Sequence, residues 1–412
     1  MNISLSSILT EMRGFFLLVV LIANPASAGV SANPEVDPVS LLKLPQGFKA
    51  QVFAKLDSAG QDYFRGARMM AFDNEGNLYV SLGRDNKVIM LPDTNHDGIA
   101  DGVTVVADNL NTPNGLAFRN GNLLVANQDG VVRLQKQNEL WPAGVKATPI
   151  ISGLATGGHA LKTIKIGPDG YIYINVGSSC NVCTESDPLR ASILRYTVDG
   201  KPAGALTTLG WHAPTAVWAS GLRNSQGFAW HPRTGAMFAT NDGADNRSDS
   251  KGGVANDEVP PEHLNRIEAG KNYGWPHCWG NHVPDPNFSA TDGYCTDTQA
   301  PVITFTSHST PIGMTFLDQA KFPPEYKNDA IVALHGSWNR KALSGYKLVR
   351  VKFDDASNPD RPTAVVDFAT GWLSNNSAWG RPVDVVVGPD GALYVSDDRA
   401  GLIYRITYTS DQ

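Results

Sequence analysis

Gly167-Pro168-Asp169-Gly170-Tyr171-Ile172-Tyr173-Ile174 is the stretch that decides the fold. Its Pro, Asp and Gly specify a tight turn, and the aromatic and β-branched residues after it suit a pleated, buried strand. The same unit returns as Asp73-Asn74-Glu75-Gly76-Asn77-Leu78-Tyr79-Val80, as Asn120-Gly121-Asn122-Leu123-Leu124-Val125, and as His231-Pro232-Arg233-Thr234-Gly235-Ala236-Met237-Phe238-Ala239. Two further copies are Tyr326-Lys327-Asn328-Asp329-Ala330-Ile331-Val332-Ala333-Leu334 and Gly388-Pro389-Asp390-Gly391-Ala392-Leu393-Tyr394-Val395. Counted from Asn77, Asn122, Tyr171, Ala236, Ala330 and Ala392, the copies lie 45, 49, 65, 94 and 62 residues apart. Spacings at or above the ~40 to 50 residues of a four-stranded blade predict a six-bladed β-propeller, an all-β fold. A four-stranded sheet alone leaves both faces wet, whereas a ring of six covers each face with a neighbour and leaves no long open edge.

The composition agrees with this reading. The 412 residues include 40 Gly and 26 Pro, a turn-rich content, while hydrophobic residues hold at 42%, enough for a core. The 9 Trp, 12 Tyr and 15 Phe supply bulk for the wedges between blades. With 34 Lys and Arg against 40 Asp and Glu, the net charge of −6 argues against a nucleic-acid binder. The longest interval, Asp242 to Thr306, is expected to roof one face of the ring, since long loops in compact folds are commonly functional or stapled.

Residues 1–28 read as a secretory signal: Arg13, the apolar run Phe15 to Ala23, and the small-x-small site Ala26-Ser27-Ala28. The run is about half of the ~20 residues a bilayer span needs, so no transmembrane span is expected. Residues 29–412 then form a single propeller domain, exported and either periplasmic or secreted. Four cysteines in an exported chain should pair, and proximity favours Cys180–Cys183 and Cys278–Cys295, with two other connectivities open. Thr184 follows Cys183 where c-type haem attachment needs His, so the Cys-x-x-Cys reads as a structural clip.

Several segments carry residues suited to chemistry. Asp93-Thr94-Asn95-His96-Asp97-Gly98-Ile99-Ala100-Asp101 has the alternating oxygens of a calcium loop, without the closing Glu of an EF-hand. Asp93, Asn95, Asp97 and Asp101 either hold a structural calcium or form a plain Asx-turn. His159, in Gly157-Gly158-His159-Ala160-Leu161-Lys162, precedes a repeat strand, at a blade end where a general base could reach a ligand. Gly221-Leu222-Arg223-Asn224 sits at the matching place one blade later, a guanidinium fork and an amide suited to a carboxylate or quinone oxygen. Thr240-Asn241-Asp242-Gly243-Ala244-Asp245 ends that blade's strand where backbone carbonyls could face a metal. His308, the run His335 to Arg340, and Arg381 recur at later blade ends, converging as a basic cluster on the axis.

From about Leu44 to Tyr408 the chain resembles the soluble, exported pyrroloquinoline quinone (PQQ)-dependent sugar dehydrogenases, the group of the sorbosone and aldose dehydrogenases. The carrying motifs are Gly157-Gly158-His159 leading into Gly167-Pro168-Asp169-Gly170, Gly221-Leu222-Arg223-Asn224, Asn272-Tyr273-Gly274-Trp275-Pro276, His335-Gly336-Ser337-Trp338-Asn339-Arg340, and Arg381 ahead of Gly388-Pro389-Asp390-Gly391. The resemblance implies PQQ lying across the axis on a calcium ion. It implies His159 as general base for the anomeric hydroxyl and Arg223 as the group at the reacting quinone oxygen, with Asn224 beside it. It further implies the carbonyls of Gly243 and Ala244 as holders of the catalytic calcium, Arg381 as a carboxylate clamp, and His308 as a polar cofactor contact. For the clamp lysine, Arg340 is the first counterpart and Lys162 the second. Sugar-specific members carry an acid just before the base, where this chain has Gly158.

The expected activity is oxidation of an aldose or sugar aldehyde by hydride transfer to PQQ, with electrons passed to an external cytochrome or quinone. Two rivals stand beside it: a calcium-dependent lactonase on the same fold, which needs side-chain carboxylates and Asn converging on the axis, and a non-enzymatic binding propeller.

Overall fold

The computed structural model describes residues 37–56, 66–138, 140–206, 214–288 and 291–409. The signal sequence read over 1–28 lies outside them. Six four-stranded antiparallel sheets follow one another along the chain. The first blade is Met70–Phe72, Leu78–Leu82, Lys87–Leu91 and Thr104–Ala107. The second is Gly115–Arg119, Asn122–Asn127, Gly130–Leu134 and Thr148–Ser152. The third is Ile164–Ile166, Ile172–Val176, Ser192–Tyr196 and Val217–Ser220. The fourth is Phe228–Trp230, Met237–Asn241, Glu262–Ile267 and Ile303–Phe305. The fifth is Pro311–Phe316, Ala330–Leu334, Lys347–Lys352 and Ala364–Ala369. The sixth takes Pro382–Val387, Leu393–Asp397 and Leu402–Tyr408 from the end of the chain and Phe48–Lys55 from its beginning. Phe48 pairs with Tyr408 and Lys55 with Leu402, so the first strand in chain order closes the last blade.

Every repeat read from the sequence is the second strand of its blade. Five of these strands are buried at every position, and Asn122–Asn127 at all but its first. A strand covered on both faces loses the polar alternation of a half-exposed one and reads as a continuous apolar run. The preceding turn is built the same way in three blades. Asp169 accepts from Tyr171 N with one oxygen and from the Tyr173 hydroxyl with the other, at 3.2 and 2.8 Å. Asp390 repeats this with Ala392 N and Tyr394, and Asp73 with Asn77 N and Tyr79. Gly76, Gly170 and Gly391 take φ of 88, 81 and 80°, a left-handed turn position that glycine adopts without strain.

The wedges between blades are filled by aromatic residues, as expected. Phe72 meets Tyr394, Tyr79 meets Phe118, Tyr173 meets Trp230 and Phe238 meets Phe316, each edge to face. Near the axis the strands approach too closely for side chains. A Cβ on Gly227 would fall 1.7 Å from the Ile312 carbonyl oxygen of the next blade, and one on Gly313 would fall 2.5 Å from Asp384 Cα. The long insertion of the fourth blade carries a two-stranded hairpin, Cys278–Trp279 with Val283–Pro284. Both expected disulfides form, Cys180–Cys183 and Cys278–Cys295. Among the described residues no helix is long and apolar enough to cross a membrane.

Candidate active site

Antiparallel strands send alternate connections to opposite ends of a blade. The segments entering each first strand and those leaving each second strand therefore emerge at one end. A cavity of about 340 Å³ opens there, lined by Arg68, His159, Asn224, Gln226, Asp242, Asp245, Thr310, Ile312, His335, Trp338 and Arg381. Its size falls within the ~300–1,000 Å³ of small-molecule sites.

His159 reaches the wall because Gly157 and Gly158, at φ of 74 and 57°, turn the chain sharply before it. A Cβ on Gly158 would lie 2.4 Å from the Ser178 carbonyl oxygen, so the family's acid has no room here. His159 Nδ1 stands 3.2 Å from that carbonyl and 2.9 Å from Ser178 Oγ. A carbonyl only accepts, so Nδ1 carries the proton and Nε2 keeps its lone pair. Burial, followed by the nearby charge of Arg223, pushes the imidazole pKa down to about 3. The ring is therefore neutral from mildly acidic to alkaline pH.

Arg223 stands behind the wall. Its Nη1 meets Asp242 Oδ2 at 3.2 Å and its Nη2 meets Asp245 Oδ2 at 2.9 Å. Asn224, its neighbour, does face the cavity, and its amide oxygen is buried without a protein partner. An unmet buried acceptor costs about 1–3 kcal/mol, which a bound donor would recover. Asp242 and Asp245 flank the Gly243-Ala244 turn, and Gly243 N donates to Glu262 Oε2 at 2.6 Å. Burial raises Asp242 to about 6 and Glu262 well above the usual carboxylate range. The insertion hairpin packs over this turn: Trp275, Cys278 and Trp279 line one small void together with Gly243 and Ala244.

Across the axis a buried trio joins three blades. Arg68 Nη1 meets Asp398 Oδ2 at 2.8 Å, and His335 Nε2 meets Asp398 Oδ1 at 2.9 Å. Burial would raise Asp398, yet His335 and Arg68 outweigh it and hold the carboxyl below its ordinary value. His335 is pushed down to about 4 by burial and by Arg381. Arg381 donates to the carbonyls of His335 and Gly336 and stands on the wall beside Arg68. Exposed Trp338 forms part of the rim.

Besides Arg223, Gly243 and Ala244, three further sequence-derived contacts are not on this wall. Lys162 turns its ammonium to the carbonyls of Ala155 and Ala160, at 2.8 and 3.1 Å, bracing the loop that carries His159, and burial lowers it to about 8. Arg340 spends its guanidinium on Ser307 O, Asp257 O, Ala342 O and Glu258, clamping the 257–258 loop. His308 is buried near the charges of Asp245, Arg340 and Asp257 and does not line the cavity. The second arginine of the wall is Arg68, which the sequence reading missed because it belongs to none of the quoted motifs, although Gly66, pressed against Asp398, stands two residues before it. Gln226, Asp242, Asp245 and Asp398 were missed as well, although the first three lie within or beside quoted motifs. The loop at Asp93, Asn95, Asp97 and Asp101 forms Asx-turns. Asp93 accepts from Asp97 N and Gly98 N, Asp97 from Ile99 N, and Asp101 from Thr94. Among the described residues its three carboxylates do not bring their oxygens within 4.8 Å of one another.

The TrAA12-like family profile matches residues 42–409. The chain belongs to the TrAA12-like family. The resemblance to soluble PQQ-dependent sugar dehydrogenases read from the motifs holds in the relatives of the chain. Aldose sugar dehydrogenase YliI of Escherichia coli is 26% identical over 62% of this chain and 61% of its own length. A pyrroloquinoline quinone-dependent pyranose dehydrogenase of Coprinopsis cinerea is 27% identical over 64% of this chain and 42% of its own. The calcium structure of a Trichoderma reesei family AA12 protein superposes with a TM-score of 0.74 at 19% identity, covering 91% of this chain and 98% of that one. That likeness shows a shared fold for this TrAA12-like protein.

Proposed function

We propose that this TrAA12-like chain is a PQQ- and calcium-dependent dehydrogenase that oxidises an aldose or a sugar aldehyde such as sorbosone to the lactone or acid. Electrons pass to an external cytochrome or quinone. The observation that carries this reading is a neutral His159, with its Nε2 lone pair exposed, in one cavity with two arginines and an unsatisfied buried amide.

The residues present fit PQQ. Arg68 and Arg381 suit its carboxylates, and Asn224 offers a buried polar contact beside His159. When bound, PQQ supplies a quinone that accepts a hydride. His159 receives the proton of the sugar's anomeric hydroxyl at Nε2, while Ser178 fixes the ring through Nδ1. Arg223 supplies positive charge behind Asn224 and, after burial, helps keep His159 unprotonated before substrate arrives. The carbonyls of Gly243 and Ala244 would hold the calcium, beside the carboxylates of Asp242 and Asp245. Trp338 offers an aromatic face for the sugar at the rim.

A lactonase centre would need carboxylates converging on one ion as side-chain ligands. Among the described residues Asp242, Asp245 and Glu262 do not gather their oxygens within 4.8 Å. The dehydrogenase reading predicts that PQQ added to the metal-depleted protein binds weakly and that calcium tightens it by at least about tenfold. The visible absorption band of PQQ, titrated with and without a chelator, reports this; identical binding curves would remove calcium from the site.

A further inference from the structure

Asn181 lies in the short loop clipped by Cys180–Cys183, between the second and third strands of the third blade. Though exposed to solvent, it makes five hydrogen bonds into the wall. Its carbonyl accepts from Arg223 Nε at 3.2 Å and from Trp275 Nε1 at 3.1 Å. Its Oδ1 accepts from Arg223 Nη2 at 3.0 Å and from Asp245 N at 2.8 Å, and its Nδ2 donates to Asp245 O at 2.9 Å.

We propose that Asn181 is a positioning residue that fixes the Arg223 guanidinium for the reaction at His159. The two acids on Arg223 come from the fourth blade and oppose its charge. Asn181 comes from the third blade, holds the same guanidinium by two oxygens and adds no charge. It therefore sets orientation while leaving the arginine's field intact, which a third carboxylate in its place would weaken. The same loop reaches His159: Ser178 Oγ donates to Cys180 O at 2.7 Å while accepting from Nδ1. One cross-linked loop thus holds both the base and the arginine, and its short closure limits the excursions of Asn181.

The proposal rests on the reading that Arg223 serves the reaction, and the test separates the two. Holoenzyme loaded with PQQ and calcium is assayed by dye reduction, with the aldose or sorbosone that the wild type oxidises fastest. Asn181→Ala is expected to lower kcat about ten- to hundredfold, as a misplaced group does, with KM within about twofold. In an Arg223→Ala background the same change is expected to cost less than about twofold, because the residue it positions is gone. Melting temperatures accompany every variant, so that a loss of fold is told apart from a loss of positioning. An unchanged kcat for Asn181→Ala beside a slowed Arg223→Ala overturns the positioning role alone. So does an equal loss in both backgrounds. An unaffected Arg223→Ala overturns this role and the assignment of Arg223 together.

Discussion

Replacing His159 by Ala is expected to lower kcat about 10²–10⁴-fold, the usual contribution of a positioned general base, while PQQ binding stays within about twofold. The separation follows from geometry. His159 presents Nε2 to the cavity and is tied by Nδ1 to Ser178, so its removal takes a proton acceptor away without touching Arg68 or Arg381. Its acid–base behaviour adds a second signature. The neutral form is the active one, and its pKa is pushed down to about 3 against an ordinary value of about 6.5. The acid limb of kcat/KM attributable to this base should therefore lie well below pH 6, with little loss between pH 8 and 6 from this group. Turnover unchanged in His159→Ala, measured by dye reduction at saturating sugar, would remove the residue from the mechanism.

The second large effect is expected at Arg68. Its guanidinium and the Asp398 carboxylate are each 1% exposed and 2.8 Å apart, with His335 on the other carboxylate oxygen. Arg68→Ala strands a buried carboxylate, and such a loss costs about 3–5 kcal/mol of stability. It also removes one of the two arginines assigned to the cofactor, so PQQ affinity should fall by at least about tenfold. The sign with pH follows from Asp398, whose folded pKa is depressed. The stabilisation it brings is present above its ordinary value near 4 and is lost as pH falls through the lower folded value. Urea unfolding at neutral pH and a PQQ titration check both parts. Stability and affinity within experimental scatter of the wild type would show that the trio is neither structural nor cofactor-binding.

What could be read from the sequence was decided by burial and by chain locality. The second strand of each blade is enclosed on both faces, and its preceding turn needs Gly, Pro or Asp, so six copies announce themselves. A fourth strand such as Thr104–Ala107 exposes half its residues and carries no comparable signature. The closing strand Phe48–Lys55 pairs with a segment some 350 residues away, a distance no local pattern encodes. The same division holds at the site. His159 is legible because Gly158, forced by the approach of Ser178, marks its turn. Arg68 follows a single close-approach glycine, Gly66, outside any repeated motif, and its partners Asn114, Gln226 and Asp398 come from three other parts of the chain. Arg340 and Lys162 looked equivalent to it by charge and register, yet neither lines the cavity. Which cation faces the cavity depends on what lies behind each one.

The central claim, that this cavity oxidises a sugar through PQQ, is tested most directly by reconstituting the protein with PQQ and calcium. Reduction of an artificial dye is then followed with a panel of aldoses and sorbosone. Sugar-dependent reduction that requires PQQ and disappears with a calcium chelator is the predicted result. No reduction with any sugar, together with no change in the visible band on adding PQQ, would contradict it.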